Sequence, residues 1–247
     1  MMTRKSTPEM IDAKVREIRN FCESNATPEI VTKYSKYFKE GFDGFGIDKD
    51  VYERQRDKWI AQWNNEMSIN DFLDLGDRLF QNGKYEEKSF AISFLQSQRE
   101  KYSVETFHRI GNWFDYGISN WATTDVLCML VLSAFMADQV ISFEQLRAWT
   151  GAESEWKRRA VPVTLVELTG KGLKLQDAFE TIEPLMSDGS EYVQKGIGTL
   201  LRGLWKKHPA EVEDFLMKWK DKCGRLIIQY ATEKMDKEYR KKFRKTK

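Results

Sequence analysis

The sequence predicts an all-α protein, with paired helices stacked as a repeat solenoid. Three observations carry that expectation. Apolar residues recur at helical spacing through nearly the whole chain. The periodic segments are of ordinary helix length and are joined by short loops. No βαβ alternation and no Gly-x-Gly-x-x-Gly motif interrupts the series. Exact repeats are not visible, so the period rests on helix lengths alone. An irregular helical bundle is the alternative.

The elements follow in order. Residues 10–22 place Ile11, Val15, Ile18 and Phe21 on one helical face. Thr27-Pro28-Glu29 is a helix start, with proline just inside a threonine cap, and that helix carries Ile30, Tyr34 and Phe38. Gly41-Phe42-Asp43-Gly44-Phe45-Gly46-Ile47 breaks the pattern as a loop, and its apolar residues are expected to tuck back on the body. Residues 50–63 form a charged amphipathic helix. Ser68-Ile69-Asn70-Asp71 opens the next, with Phe72, Leu75, Leu79 and Phe80 as its apolar face. Segments 85–98, 103–110, 121–137, 142–150, 153–169, 173–185, 192–207 and 210–231 continue the series. Pro162 either kinks its helix or starts it afresh. Asn82-Gly83, Thr169-Gly170 and Asp188-Gly189 read as turns. The organisation is a flexible N-terminus over 1–9, one helical-repeat domain over 10–235 and a basic tail over 236–247. The tail reads as a solvated segment or as a frayed helix end reaching toward phosphates.

Composition narrows the function. The chain has 247 residues, 41% of them apolar, enough for a sizeable core. Charged residues are 32%, yet the formal net charge is only +2. Nucleic-acid binding would therefore need the charge sorted onto one face. Cys22, Cys128 and Cys223 are odd in number and far apart, which argues against a disulfide scaffold or a zinc site. No apolar leader follows the N-terminus, and the apolar stretch 126–137 is too short to span a bilayer. A cytoplasmic protein without membrane attachment is the expectation. His108 and His208 are not spaced as metal ligands, and no H-E-x-x-H, P-loop or nucleophile elbow is present. No cofactor and no metal are expected, and a monomer suffices.

The residues that could carry chemistry lie beside apolar helical runs. Trp121 and Asp125 stand at i and i+4 and share a helix face. A carboxylate beside an indole suits a cationic planar group. A core tryptophan and a carboxylate bonded to a helix end would explain the same spacing. Trp156, Arg158 and Arg159 precede the apolar run Ala160-Val161-Pro162-Val163. A guanidinium rooted on a helix suits a bidentate phosphate contact or a carboxylate pair, with Asp125 a candidate partner. Lys195 and Arg202 are seven apart, and Lys206 and Lys207 extend the charge. Those side chains could meet successive phosphates, or simply form a solvated face.

The blocks Asn120-Trp121-Ala122-Thr123-Thr124-Asp125, Trp156-Lys157-Arg158-Arg159-Ala160 and Val193-Gln194-Lys195-Gly196-Ile197-Gly198, in that order, resemble the HEAT-like repeat DNA alkylation repair enzymes, the alkylpurine glycosylases. The resemblance covers roughly residues 10–235, and the 41–47 loop is similar to that family's early Phe/Gly segment. It implies a helical solenoid with a basic concave groove for duplex DNA. It implies hydrolysis of the N-glycosidic bond of cationic N3- or N7-alkylated purines, without full extrusion of the lesion into a deep pocket. Asp125 would then be the central carboxylate and Trp121 an aromatic wall. Arg159 would hold the phosphate near the lesion, with Arg158 as the alternative. Trp156, Arg158, Lys195, Arg202 and Lys206 would contact DNA. One departure stands out. The family carries a further tryptophan beyond the Gln-Lys block, where this chain has Thr199, and Trp205 is expected to face elsewhere. A helical-repeat DNA-binding protein without catalysis and a protein-interaction scaffold are the competing expectations.

Overall fold

A computed structural model of the chain describes residues 7–39 and 41–246. The expectations for residues 1–6 and Lys247 lie outside the described residues. All regular structure among the described residues is helical. The contacts divide the chain into two compact units, meeting between Val131 and Leu132.

In the first unit, α1 (Pro8–Ser24) starts on a Thr7 cap and buries Ile11, Ile18 and Cys22. The short α2 (Pro28–Ser35) stops before Phe38, so that ring leaves from the turn beyond the helix. α3 (Lys49–Trp63) is charged nearly all round and buries only Trp59 and Trp63. Those indoles stack 5.0 Å apart and meet Phe90 and Phe94, and this aromatic contact holds an otherwise solvated helix. α4 (Ile69–Asn82) opens with a reciprocal Ser68–Asp71 capping box. Its predicted face of Phe72, Leu75, Leu79 and Phe80 is buried, and the helix packs against α1 and against the two α-helices that follow it. α5 (Tyr85–Gln96) also packs on α7 (Trp121–Leu127), while α6 (Val104–Tyr116) lays Trp113 flat on Phe80, 4.2 Å between rings.

The stretch 121–137 is helical throughout, but Cys128–Leu132 is a π-helical turn. Such turns insert one residue into an α-helix and re-aim the faces on either side. Periodicity alone cannot distinguish a widened turn from an α turn.

The second unit contains α8 (Ser133–Ala137), α9 (Phe143–Arg147), α10 (Glu155–Val166), α11 (Leu175–Ile182), α12 (Glu191–Trp205), α13 (Pro209–Trp219) and α14 (Arg225–Ala231). The largely buried α12 packs against α10, α13 and α14. Pro162 neither ends nor restarts α10, which runs through it. The helix expected over 210–231 is two helices. The break ends at Gly224, which caps α14, and a β-carbon there would sit 2.1 Å from the Gln194 amide carbon. Gln194 uses that space to donate to the Asp188 carbonyl and accept from the Leu226 amide. A helix continuing through 224 would lose this junction.

The basic tail is not a solvated strand of charge over its described part. A 3-10 turn, Tyr239–Phe243, buries Phe243 completely. The Tyr239 hydroxyl and the Lys242 ammonium both donate to one oxygen of Glu213 at 2.7 Å. The Thr246 amide donates to Asp221 at 2.6 Å. Sequence shows the charges of this segment but gives no hint that Phe243 is an anchor.

Candidate functional site

Trp121 and Asp125 sit on the first turns of α7, as spacing predicts. Asn120 caps that helix, accepting from the Thr123 amide at 2.9 Å, and the Thr124 hydroxyl donates back to the Asn120 carbonyl. These bonds fix the helix start and hence the direction of both side chains. Trp121 is half-buried, and its Nε1 donates to the Tyr37 carbonyl at 3.3 Å. Its ring stacks on Phe38, centroids 5.4 Å apart and planes within 21°.

Phe38 extends a chain of rings. It meets Phe42 at 5.0 Å, and Phe42 in turn meets Tyr34 at 5.8 Å and Tyr85 at 5.3 Å. The half-buried Asp125 lies close enough to act on Tyr85. The Tyr85 phenol is held above its ordinary pKa first by burial, then by Glu86, with Tyr34 and the Asp125 carboxylate adding to the shift. A carboxylate one helical turn from an indole can accept a flat cation.

The loop that delivers Phe42 is latched by a buried carboxylate. Glu86 is 7% exposed and accepts from the backbone amides of Phe45 and Gly46 at 2.8 Å and of Ile47 at 3.4 Å. The loop also pairs with both neighbouring helix starts, through Thr27 amide to Phe45 carbonyl and Tyr85 amide to Asp43 carbonyl, each 2.9 Å. Gly46 has φ +73°, and a β-carbon there would meet the Thr27 carbonyl at 2.4 Å, so only glycine fits. Sequence reading expected the loop to tuck back. Sequence gives no sign that Phe42 of this loop meets Phe38, which stacks on Trp121, nor that Glu86 holds the loop.

In the second unit, Trp156 is buried and packs on Tyr192, 4.6 Å between rings. Arg159 is 8% exposed, and its Nη1 donates to the Tyr192 carbonyl at 2.6 Å. Arg158 is engaged within the unit: Nε donates to Asp188 at 2.6 Å, and Nη1 donates to the Ala152 and Glu153 carbonyls. That arrangement ties the start of α10 to the turn before α12. Lys195 donates to Glu191 at 2.8 Å and lies over the Tyr192 ring. Arg202 pairs with Glu233, whereas Lys206 is exposed at the end of α12. Thr199 is half-buried and follows Gly198, whose β-carbon would meet Tyr230 of α14 at 2.5 Å. Trp205 does turn elsewhere, its Nε1 donating to Glu213 of α13 at 3.0 Å. The glycines of the Gln-Lys block therefore serve helix packing.

Among the described residues, no helix is long and apolar enough to cross a membrane, and no group of three or more His, Cys, Asp or Glu could hold a metal ion.

Fold and site together define a helical-repeat protein that carries Asp125 one turn from Trp121, at the end of a chain of aromatic rings. The family model described as DNA alkylation repair enzyme matches residues 18–235, and the chain belongs to that family. Its HEAT-like fold is shared with solved structures. A predicted DNA alkylation repair enzyme from Enterococcus faecalis superposes with a TM-score of 0.75 at 19% identity, covering 86% of this chain and 98% of that one. AlkD2 from Streptococcus mutans gives a TM-score of 0.59 at 19% identity, covering 85% and 99%. A search of functionally curated proteins gave no match.

Proposed function

We propose that the protein is a DNA glycosylase that hydrolyses the N-glycosidic bond of cationic N3- or N7-alkylated purines in duplex DNA. The observation that carries this reading is Asp125, half-buried on α7 one helical turn from Trp121, whose ring stacks on Phe38 at the end of the aromatic chain. An alkylated purine is already cationic. When its bond to C1′ breaks, the electron pair moves onto the purine, which leaves neutral and needs little general-acid help. Positive charge develops instead on the sugar. A fixed carboxylate stabilises that charge and positions the water that adds to C1′, and loss of the water's proton leaves an abasic site. Trp121 packs against the sugar and backbone of the lesion nucleotide.

Arg159 is assigned the phosphate near the lesion, its guanidinium rooted on the carbonyl of Tyr192, whose ring meets Trp156. Lys195, Arg202 and Lys206 are assigned to backbone phosphates, adding salt-dependent affinity without reading sequence. Arg158, bonded to Asp188 and two carbonyls, serves chiefly to set the start of α10. Thr199 favours a second reading, duplex binding without base release, because it supplies no aromatic wall.

Release of 7-methylguanine and 3-methyladenine from methylated duplex DNA separates the two readings. Intact protein should release base, and Asp125→Asn should release it at least tenfold more slowly while still binding duplex. Duplex binding with no release above the spontaneous rate would overturn the glycosylase assignment for these lesions and leave the binding reading.

A further inference from the structure

The folded-back tail roofs a cavity of about 760 Å³ against α14. Its lining carries the cations Lys220, Arg225, Arg240, Arg244 and Lys245 against one carboxylate, Glu233. Glu233 is already paired with Arg202 and Lys234, neither of which lines the cavity. Those two contacts hold its pKa below the ordinary value, Lys234 foremost, so its charge is compensated from outside. Asp221 and Asp236 act on Lys220, Lys245 and Arg240 from outside the lining. Among the described residues, Arg225 and Arg244 have no carboxylate within ion-pair distance. Like-charged side chains around one cavity repel each other, so their convergence favours a multiply charged anion.

Shape narrows the anion. The volume lies within the range of small-molecule sites, roughly 300–1,000 Å³, and far exceeds what one inorganic phosphate fills. Half-exposed Ile228 gives the cavity an apolar contact, the buried Phe243 ring stands behind its wall, and exposed Gln229 adds a neutral hydrogen-bonding group. A ligand that fits has a flat, partly apolar body and an anionic end. Three guanidiniums match phosphate oxygens in bidentate geometry. The walls are also built, because Phe243 is fully buried, Tyr239 and Lys242 grip Glu213, and Thr246 grips Asp221.

We infer that this cavity is a second binding site, separate from the Asp125 site, for a nucleotide bearing at least one phosphate. Two sources share that chemistry, a free nucleotide and a nucleotide of a nucleic-acid strand. The test is calorimetric titration of the full chain with ATP and, separately, with a 5′-phosphorylated oligothymidylate. At least one probe should bind, and Arg225→Ala/Arg244→Ala should weaken it at least tenfold without moving the thermal midpoint. Loss confined to the oligonucleotide identifies a strand as the source; loss of ATP binding identifies a free nucleotide. Should that variant unfold, Lys220→Ala/Lys245→Ala must give the same loss. Failure of both probes to bind, unchanged affinity in the folded variant, or equal competition by a polyglutamate peptide would overturn the inference. Base release from methylated DNA, which reports the Asp125 site, should be unchanged in the same variants. The two readings therefore fail separately.

Discussion

Glu86 is the residue on which the aromatic site depends without touching a ligand. Its carboxylate satisfies three backbone amides of the 41–47 loop. Glu86→Ala leaves those donors unmatched in a buried place, a loss of about 2–4 kcal/mol from charged hydrogen bonds and unsatisfied groups. Urea denaturation should show that loss, and base release should fall with it, because Phe42 no longer buttresses Phe38 and Trp121. Trp121→Phe makes a finer cut. It keeps a ring on Phe38 but deletes the bond to the Tyr37 carbonyl. Stability should change by only about 1 kcal/mol, while the rate of base release should drop more than duplex affinity does. Equal losses in rate and affinity would count against a role for Trp121 at the reacting nucleotide. The pairing of Trp121 with Asp125 was legible in the sequence because i, i+4 spacing is a local fact. The aromatic chain was not, since Tyr85, Phe42, Phe38 and Trp121 meet through tertiary contacts that no periodicity encodes.

At the scale of elements, caps and amphipathic faces were legible and interruptions were not. The apolar face of α4 and the proline-led start of α2 follow directly from local chemistry. The break before α14 answers to a packing partner on another helix, and the π turn at Cys128–Leu132 leaves no mark in the apolar periodicity. Gly224 shows the cause. Gly224→Ala drives a methyl group into the Gln194 amide, and overpacking of this kind costs about 1–3 kcal/mol. The shortened partner in Gly224→Ala/Gln194→Ala should recover part of that loss, though it forfeits the bonds to Asp188 and Leu226. A double-mutant cycle in urea should therefore show strong coupling, and additive effects would refute the close approach.

For the molecule as a whole, mild net charge conceals a sorted distribution. Acids such as Glu213 and Asp221 are tied to the tail, leaving a cationic cavity beneath it. That clamp carries its own pH dependence. Although burial alone would raise it, Glu213 is held below its usual pKa by hydrogen bonds from Lys242, Trp205 and Tyr239. A depressed carboxyl stabilises the fold above its unfolded pKa, and that stability is lost as pH falls through the folded one. Lys242 is raised above its usual value by Glu213 and then Tyr239, so its contribution is present at neutral pH and lost as alkali deprotonates it. Amide hydrogen exchange over 239–246 should therefore be slowest near neutrality and quicken, after correction for intrinsic rates, at both acid and alkaline extremes. Glu213→Gln should flatten the acid side. The Gln194–Gly224 fit reaches beyond any single chain. The two positions lie far apart in the gene yet occupy one small volume. A lineage can enlarge residue 224 safely only after residue 194 has shortened, so drift at this junction has a fixed order, and descendants should inherit the two changes together.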